Sequence, residues 1–161
     1  MPDKVVSHID ANVILNYLND DDLDLCGIVK QQIVFRKNWG NNIYKINVYA
    51  IGEIAKQLIN PVKRTNNDLP SKINNIKKLV MNNHFELIRI DDISPDWVNH
   101  FKEINKLDKI IQYADKFNIA LFCADVDAKI FYTFDKGIIK SEKVNKYIKR
   151  LDPAKRIKEM E

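Results

Sequence analysis

Apolar residues recur along the chain in short β-branched runs, separated by stretches at helical spacing. Lys4 to Ile9 (Lys-Val-Val-Ser-His-Ile) is brief and apolar and predicts a buried strand. Val13, Ile14, Tyr17 and Leu18 follow at helical spacing, and Asp20-Asp21-Asp22 suits the start of a second helix, where acids complement the dipole. Ile43 to Tyr49 predicts a second strand and Ala50 to Ile59 the helix after it. Pro61 to Pro70 reads as a polar loop, with a basic helix from Ser71 to Met81. Phe85 to Ile90 predicts another strand, and Ser94-Pro95-Asp96 opens a helix that runs to Lys106. Helix is predicted again from Asp108 to Asp127, with a break near Ala114, then a strand over Lys129 to Phe134. After Gly137 the pattern predicts a basic helix and a polar tail. Alternating strands and helices predict an α/β class fold: one three-layer α/β/α domain around a mostly parallel, Rossmann-like sheet.

Composition narrows this picture. A chain of 161 residues suits one domain, and 45% apolar residues with 30% charged residues suit a packed core under a soluble surface. The apolar runs, such as Ile119 to Cys123, are too short to cross a bilayer, and Met1-Pro2-Asp3-Lys4 leads into Val5-Val6 without a signal-peptide stretch, so a cytoplasmic location is expected. Cys26 and Cys123 are too few for a disulfide framework or a Cys-rich zinc site, and both sit among apolar neighbours as core residues do. The net charge of +4 is unevenly spread. Ile54 to Val80 carries six basic residues (Lys56, Lys63, Arg64, Lys72, Lys77, Lys78) against the single acid Asp68. Ser141 to Glu161 carries seven basic residues against four acids. Such clusters suit a polyanion, although a solvated helix face would look the same.

Several kinds of chemistry are excluded. The four glycines (Gly27, Gly40, Gly52, Gly137) form no phosphate loop or dinucleotide fingerprint, and there is no Gly-x-Ser-x-Gly elbow. His8, His84 and His100 form no HExxH pair. The alternating Asp20, Asp22 and Asp24 fail as a calcium loop, because Leu25 stands where a glycine is needed and Gln31 where a glutamate is needed.

Acids at element ends remain. Asp10 follows the first strand at its carboxyl end, where open α/β sheets gather ligands, and it could equally cap the next helix. Glu53 lies early in its helix between Ile51 and Ile54, with a surface dipole role as the plain reading. Asp115 shares a helical face with Ile119, Phe122 and Val126, a costly place for an unpaired carboxylate. Asp135 follows the strand ending at Phe134 and also fits an Asp-Lys-Gly turn. Together, carboxylates converging on one sheet edge would repel unless a divalent cation held them, and all-oxygen ligation points to Mg²⁺ or Mn²⁺.

The segments Ile9-Asp-Ala-Asn-Val-Ile-Leu, Val48-Tyr-Ala-Ile-Gly-Glu-Ile-Ala, Ala114-Asp-Lys-Phe-Asn-Ile-Ala-Leu-Phe and Phe131-Tyr-Thr-Phe-Asp-Lys-Gly occur in the order of the PIN-domain family, which this chain resembles. The resemblance covers the chain to residue 137 and implies a PIN-like nuclease domain over residues 1–140, with a basic helix or tail over 141–161. It implies Asp10, Glu53, Asp115 and Asp135 as catalytic, metal-holding acids, with Asn12 and Thr133 in support. Lys-Phe-Asn after Asp115 departs from the small or aliphatic residues frequent there, and Asp108 competes for the third role. The spacing of Asp115 to Asp135, one helix plus one strand, favours Asp115.

The implied activity is that of a metal-dependent endoribonuclease, with Lys56, Lys63, Arg64, Lys72, Lys77 and Lys78 as RNA contacts. It would be the toxin of a toxin–antitoxin pair, with an antitoxin partner and a homodimeric state, or an RNA-processing nuclease. The alternative is a non-catalytic PIN-fold module that binds RNA or acts as a scaffold. A phosphatase using an aspartyl-phosphate is disfavoured, because it would need a second Asp where Asn12 stands.

Overall fold

The computed structural model of the chain describes residues 4–18, 42–59 and 85–160. Among the described residues, five strands form one sheet: β1 (Val5–Ile9), β2 (Asn42–Asn47), β3 (Glu86–Ile88), β4 (Ala128–Tyr132) and β5 (Arg156–Lys158). Their order is β3-β2-β1-β4-β5, and every neighbouring pair is parallel. The expected parallel α/β architecture is therefore present. Pairing runs outward from β1 in both directions, so the chain reverses its winding between β1 and β4. In such sheets the crevice at the carboxyl ends of the two diverging strands is the natural ligand position.

The helices are α1 (Ala11–Leu18), α2 (Val48–Ile59), α3 (Trp97–Leu107), α4 (Tyr113–Ala124), α5 (Lys136–Ile139) and α6 (Glu142–Leu151). None among the described residues is long and apolar enough to cross a membrane. Residues of β1 alternate between two cores, as the pleat requires. Ile9 packs with Val13 and Ile14 of α1, Tyr44 and Ile46 of β2 and Ile54 of α2. Val6, on the opposite face, joins Ile104 of α3, Phe122 of α4, Phe131 of β4 and Val144 and Ile148 of α6. Val144 and Ile148 lie four apart, one helical turn, and their burial is what holds the otherwise charged α6 on the sheet.

Several boundaries differ from the sequence expectation. β2 stops at Asn47, because Asn47 turns its side chain to accept the Ala50 N–H at 2.8 Å and starts α2 there. Residues 108–112 are not helical, and Asp108 instead accepts the N–H groups of Ile110 and Ile111. α4 ends at Ala124, which leaves Val126 outside the helix and 76% exposed instead of facing inward. The segment read as a polar tail supplies β5, whose Ile157 is buried opposite Phe131. The helix predicted from Asp20, the loop from Pro61 and the basic helix from Ser71 lie outside the described residues.

Lys155, just ahead of β5, is buried and donates to the carbonyls of Phe122, Asp125 and Ala128 at 2.9, 2.6 and 2.8 Å. A lone ammonium thereby gathers carbonyls from the last turn of α4, the turn after it and the start of β4. Lys155→Ala would strand these acceptors and is expected to cost about 3 kcal/mol of unfolding free energy. Urea denaturation checks this, and a loss below about 1 kcal/mol would mean that water replaces the ammonium at little cost.

Candidate active site

Asp10 is the first residue past β1, and its N–H donates to Tyr132 O at 3.0 Å, which holds it at the point where β1 and β4 diverge. Its carboxylate is 2% exposed. Oδ1 accepts the Ala11 N–H at 2.8 Å, and Oδ2 accepts the Thr133 hydroxyl at 2.8 Å. Asn12 donates from Nδ2 to Thr133 Oγ1 at 3.0 Å and accepts the Phe134 N–H at 3.0 Å. The two residues named in support are thus joined to Asp10 and to each other.

Asp135 begins α5 and accepts the N–H groups of Gly137 and Ile138 at 2.7 and 3.3 Å. A Cβ at residue 137 would stand 3.0 Å from Asp135 Oδ1, so the glycine allows that carboxylate to fold over the helix start. The turn role foreseen for Asp135 is real and coexists with its place near Asp10. Glu53 is half-buried, one helical turn and a half past the start of α2. Asp115 lies in the first turn of α4 and is also half-buried. Asp108, its competitor, is committed elsewhere: the Ser141 hydroxyl donates to its Oδ2 at 2.6 Å.

Electrostatics ties the four acids together. Burial, then the charges of Asp10, Glu53 and Asp135, push Asp115 up to about 7. Burial likewise pushes Asp10 up to about 6, with Glu53 and Asp135 adding to it and the Thr133 and Ala11 donors opposing it. The donor set is entirely carboxylate oxygen, which fits a hard divalent cation. Among the described residues, however, no three His, Cys, Asp or Glu side chains converge closely enough to hold a metal ion as they stand. The two observations differ in range: charges couple over several ångströms, whereas ligands must meet within about 2.5 Å of an ion.

Two site residues escaped the sequence reading. Asn118 Nδ2 approaches Asp10 Oδ1 at 3.5 Å, and Asn118 Oδ1 accepts from Asn47 Nδ2 at 2.9 Å. Both asparagines are buried. Asn118 stands three residues past Asp115, hence on the same helical face, yet it registers in sequence only as a departure from the family pattern. Asn47 had an available signal, an Asn immediately before an apolar helical run, but a strand drawn through to Tyr49 conceals it. Of the basic residues proposed to contact RNA, Lys56 is exposed on α2, and Lys63, Arg64, Lys72, Lys77 and Lys78 lie outside the described residues.

A cavity of about 400 Å³ lies elsewhere, on the β3 side of the sheet, lined by Lys45, Glu86, Asp92, Ile93, Asp125 and Val126 among others. None of the four acids lines it. At its floor Asp125 Oδ2 receives Lys45 Nζ and His8 Nε2, each at 2.9 Å. Although burial works against the charge, these two donors hold the Asp125 carboxyl well below the usual carboxylate range. Fully paired, the cluster reads as structural.

No family model and no curated protein matches the chain. Solved structures do. The chain is similar to VapBC2 from Rickettsia felis, solved bound to a DNA fragment from its promoter, with a TM-score of 0.55 at 15% identity over 98% of this chain and 100% of that one. It is also similar to PAE2754 from Pyrobaculum aerophilum, with a TM-score of 0.57 at 14% identity over 93% of this chain and 98% of that one. The chain has a PIN-like fold. At these identities the likeness carries the fold alone.

The raised carboxyls bear on stability. A folded-state pKa above the unfolded value of 3.8 adds stability at low pH, and this is lost as pH rises through about 6 for Asp10 and about 7 for Asp115. Asp115→Asn removes one repelling charge and is expected to stabilise the fold at pH 8 while changing little at pH 4. Solvent screening at this half-exposed side chain reduces the raw linkage value, leaving a gain of about 1 kcal/mol. Chemical denaturation at the two pH values would show it; equal effects at both would mean that Asp115 ionises without hindrance.

Proposed function

We propose that the protein is a metal-dependent endoribonuclease that hydrolyses RNA phosphodiester bonds through Asp10, Glu53, Asp115 and Asp135. The observation that carries this reading is the elevation of Asp10 and Asp115, a buried and a half-buried carboxylate that are both raised by burial and by the charges of Glu53 and Asp135 at the switch point of a PIN-like sheet. Perturbed acids of this kind gather at functional sites, and a divalent cation is what would relieve their repulsion. Asp10 and Asp115 would hold Mg²⁺ or Mn²⁺, with Glu53 and Asp135 completing the shell or orienting water. When bound, the cation supplies a Lewis acid that acidifies water and neutralises charge building on the phosphate.

The chain's own residues set the stage for that chemistry. Thr133, fixed by Asn12, orients one oxygen of Asp10, and the Ala11 N–H and Asn118 orient the other. Lys56, with Lys63, Arg64, Lys72, Lys77 and Lys78, would meet the phosphate backbone. The preference for RNA over DNA rests on the family resemblance. A toxin role with an antitoxin partner is in keeping with the fold shared with VapBC2, a complex solved on promoter DNA, while the homodimer rests on the family resemblance and the cytoplasmic location on the sequence. RNA processing without an antitoxin is the neighbouring reading.

The lack of three converging ligands among the described residues favours a second reading, a non-catalytic PIN-fold module that binds RNA. One experiment separates them. Labelled single-stranded RNA is incubated with wild-type protein and Asp10→Asn in Mg²⁺, Mn²⁺ or EDTA, and melting temperature is read with and without Mn²⁺. The nuclease reading expects cleavage that EDTA abolishes and that Asp10→Asn lowers by more than ~100-fold, beyond the loss typical of a residue that only supports a ligand. It also expects Mn²⁺ to raise the wild-type melting temperature, since an ion bound to the folded state stabilises it. No cleavage and no Mn²⁺ shift would hand the site to the non-catalytic module.

A further inference from the structure

Exposed aromatic rings flank the acids. Tyr49 lies in the first turn of α2, one turn ahead of Glu53, and Tyr113 opens α4 two residues before Asp115. The two residues are 57% and 69% exposed, and neither belongs to a core cluster. Both are nevertheless held in place. Tyr49 meets Phe117 edge to face at 4.9 Å between centroids, and Phe117 meets Trp97 of α3 in the same way at 5.1 Å. Tyr113 lies against Phe101 of α3 at 6.3 Å with the planes inclined by 27°, and Lys116 Nζ stands 5.0 Å from its centroid. Three helices thus fix the rings while most of their area stays open, and Asp115 sits between Tyr113 and Phe117 in the first turns of α4.

We propose that Tyr49 and Tyr113 are a stacking platform for the unpaired bases of a single-stranded RNA lying across the acid site. The inference deepens the nuclease reading and rests on it for its purpose, while the binding itself needs no metal. The acids repel phosphate, and Lys116, beside Asp115 in the chain, is buried and bound to Asn105 Oδ1 at 2.9 Å, so it does not offset that repulsion at the surface. Neutral rings add affinity there without adding charge to the acid site. Every base has a π-face, so stacking holds a strand whatever its sequence, and rings already fixed by neighbours lose little freedom on binding. A duplex keeps its bases stacked on one another and offers no open face, so the platform selects single strands and loops.

The test measures binding in EDTA, where cleavage cannot interfere. Fluorescence anisotropy follows a fluorescein-labelled oligouridine and, separately, a labelled RNA duplex, titrated with full-chain protein. Tyr49→Ala/Tyr113→Ala is compared with Tyr49→Phe/Tyr113→Phe, with circular dichroism and melting temperature confirming that each folds. The platform expects the alanine pair to weaken single-strand binding by about tenfold or more, the phenylalanine pair to keep it, and the duplex to bind more weakly than the single strand. Wild-type affinity in the alanine pair, equal binding of duplex and single strand, or no wild-type binding at all would overturn it. So would an alanine pair that alters oligomeric state and leaves RNA binding unchanged, because the rings would then serve a protein interface. Single-strand binding that depends on the rings, in a protein that cuts nothing with Mn²⁺, would sink the nuclease reading and leave the platform standing.

Discussion

Asp10 is buried where β1 and β4 part, and a carboxylate removed from water must either find donors or stay protonated. The chain meets this demand from both strands. Ala11, beyond β1, and Thr133, beyond β4, donate to opposite oxygens, and Asn12 clamps Thr133 from the β1 side. The hydrogen bonds that make Asp10 tolerable therefore also tie the two strand ends together. Burial, with the charges of Glu53 and Asp135, raises both Asp10 and Asp115, and the charge of Asp10 adds to the rise of Asp115.

For Asp115 to reach that point, α4 has to be held along its whole length. At its far end Lys155 satisfies the carbonyls of Phe122 and Asp125, and the Asp125 side chain takes both His8 of β1 and Lys45 of β2. Buried charges of this kind bring little net stability when weighed against an apolar replacement. What they supply is direction, since a buried Asp satisfied by two donors on two strands leaves α4 little freedom to slide. At its middle, Asn118 reaches Asp10 and Asn47, which also starts α2. Polar bonds at the middle and just past the far end of one helix, with Ile119 and Phe122 packed between them, set its position relative to the sheet.

The strand-and-helix alternation, the parallel sheet and the PIN-like fold were all legible in the chain, because periodicity and the short apolar runs are local properties that survive any neighbours. The acids near element ends were legible for the same reason, and the family resemblance pointed to Asn12 and Thr133, which the fold joins to Asp10 through the Thr133 hydroxyl. Boundaries were less so. A strand drawn to Tyr49 hides the Asn47 cap, and the helix drawn from Asp108 merges a turn with α4, since β-branched and aromatic residues serve either element.

What only the tertiary structure decided is non-local. Arg156-Ile157-Lys158 is too short and too charged to announce a strand, and becomes one because β4 offers an open edge and a buried place for Ile157. Lys155 looks like a surface lysine until three carbonyls converge on it. Asn118 is an odd polar residue on an inward face until the fold brings Asp10 and Asn47 to it, from positions 108 and 71 residues away in the chain. The sequence by itself determined the alternation of the first four strands with helices and which acids stood near their ends, since those follow from neighbours in the chain. The fold alone decided which of those groups meet, because a hydrogen bond or a raised pKa depends on distances that no local pattern contains.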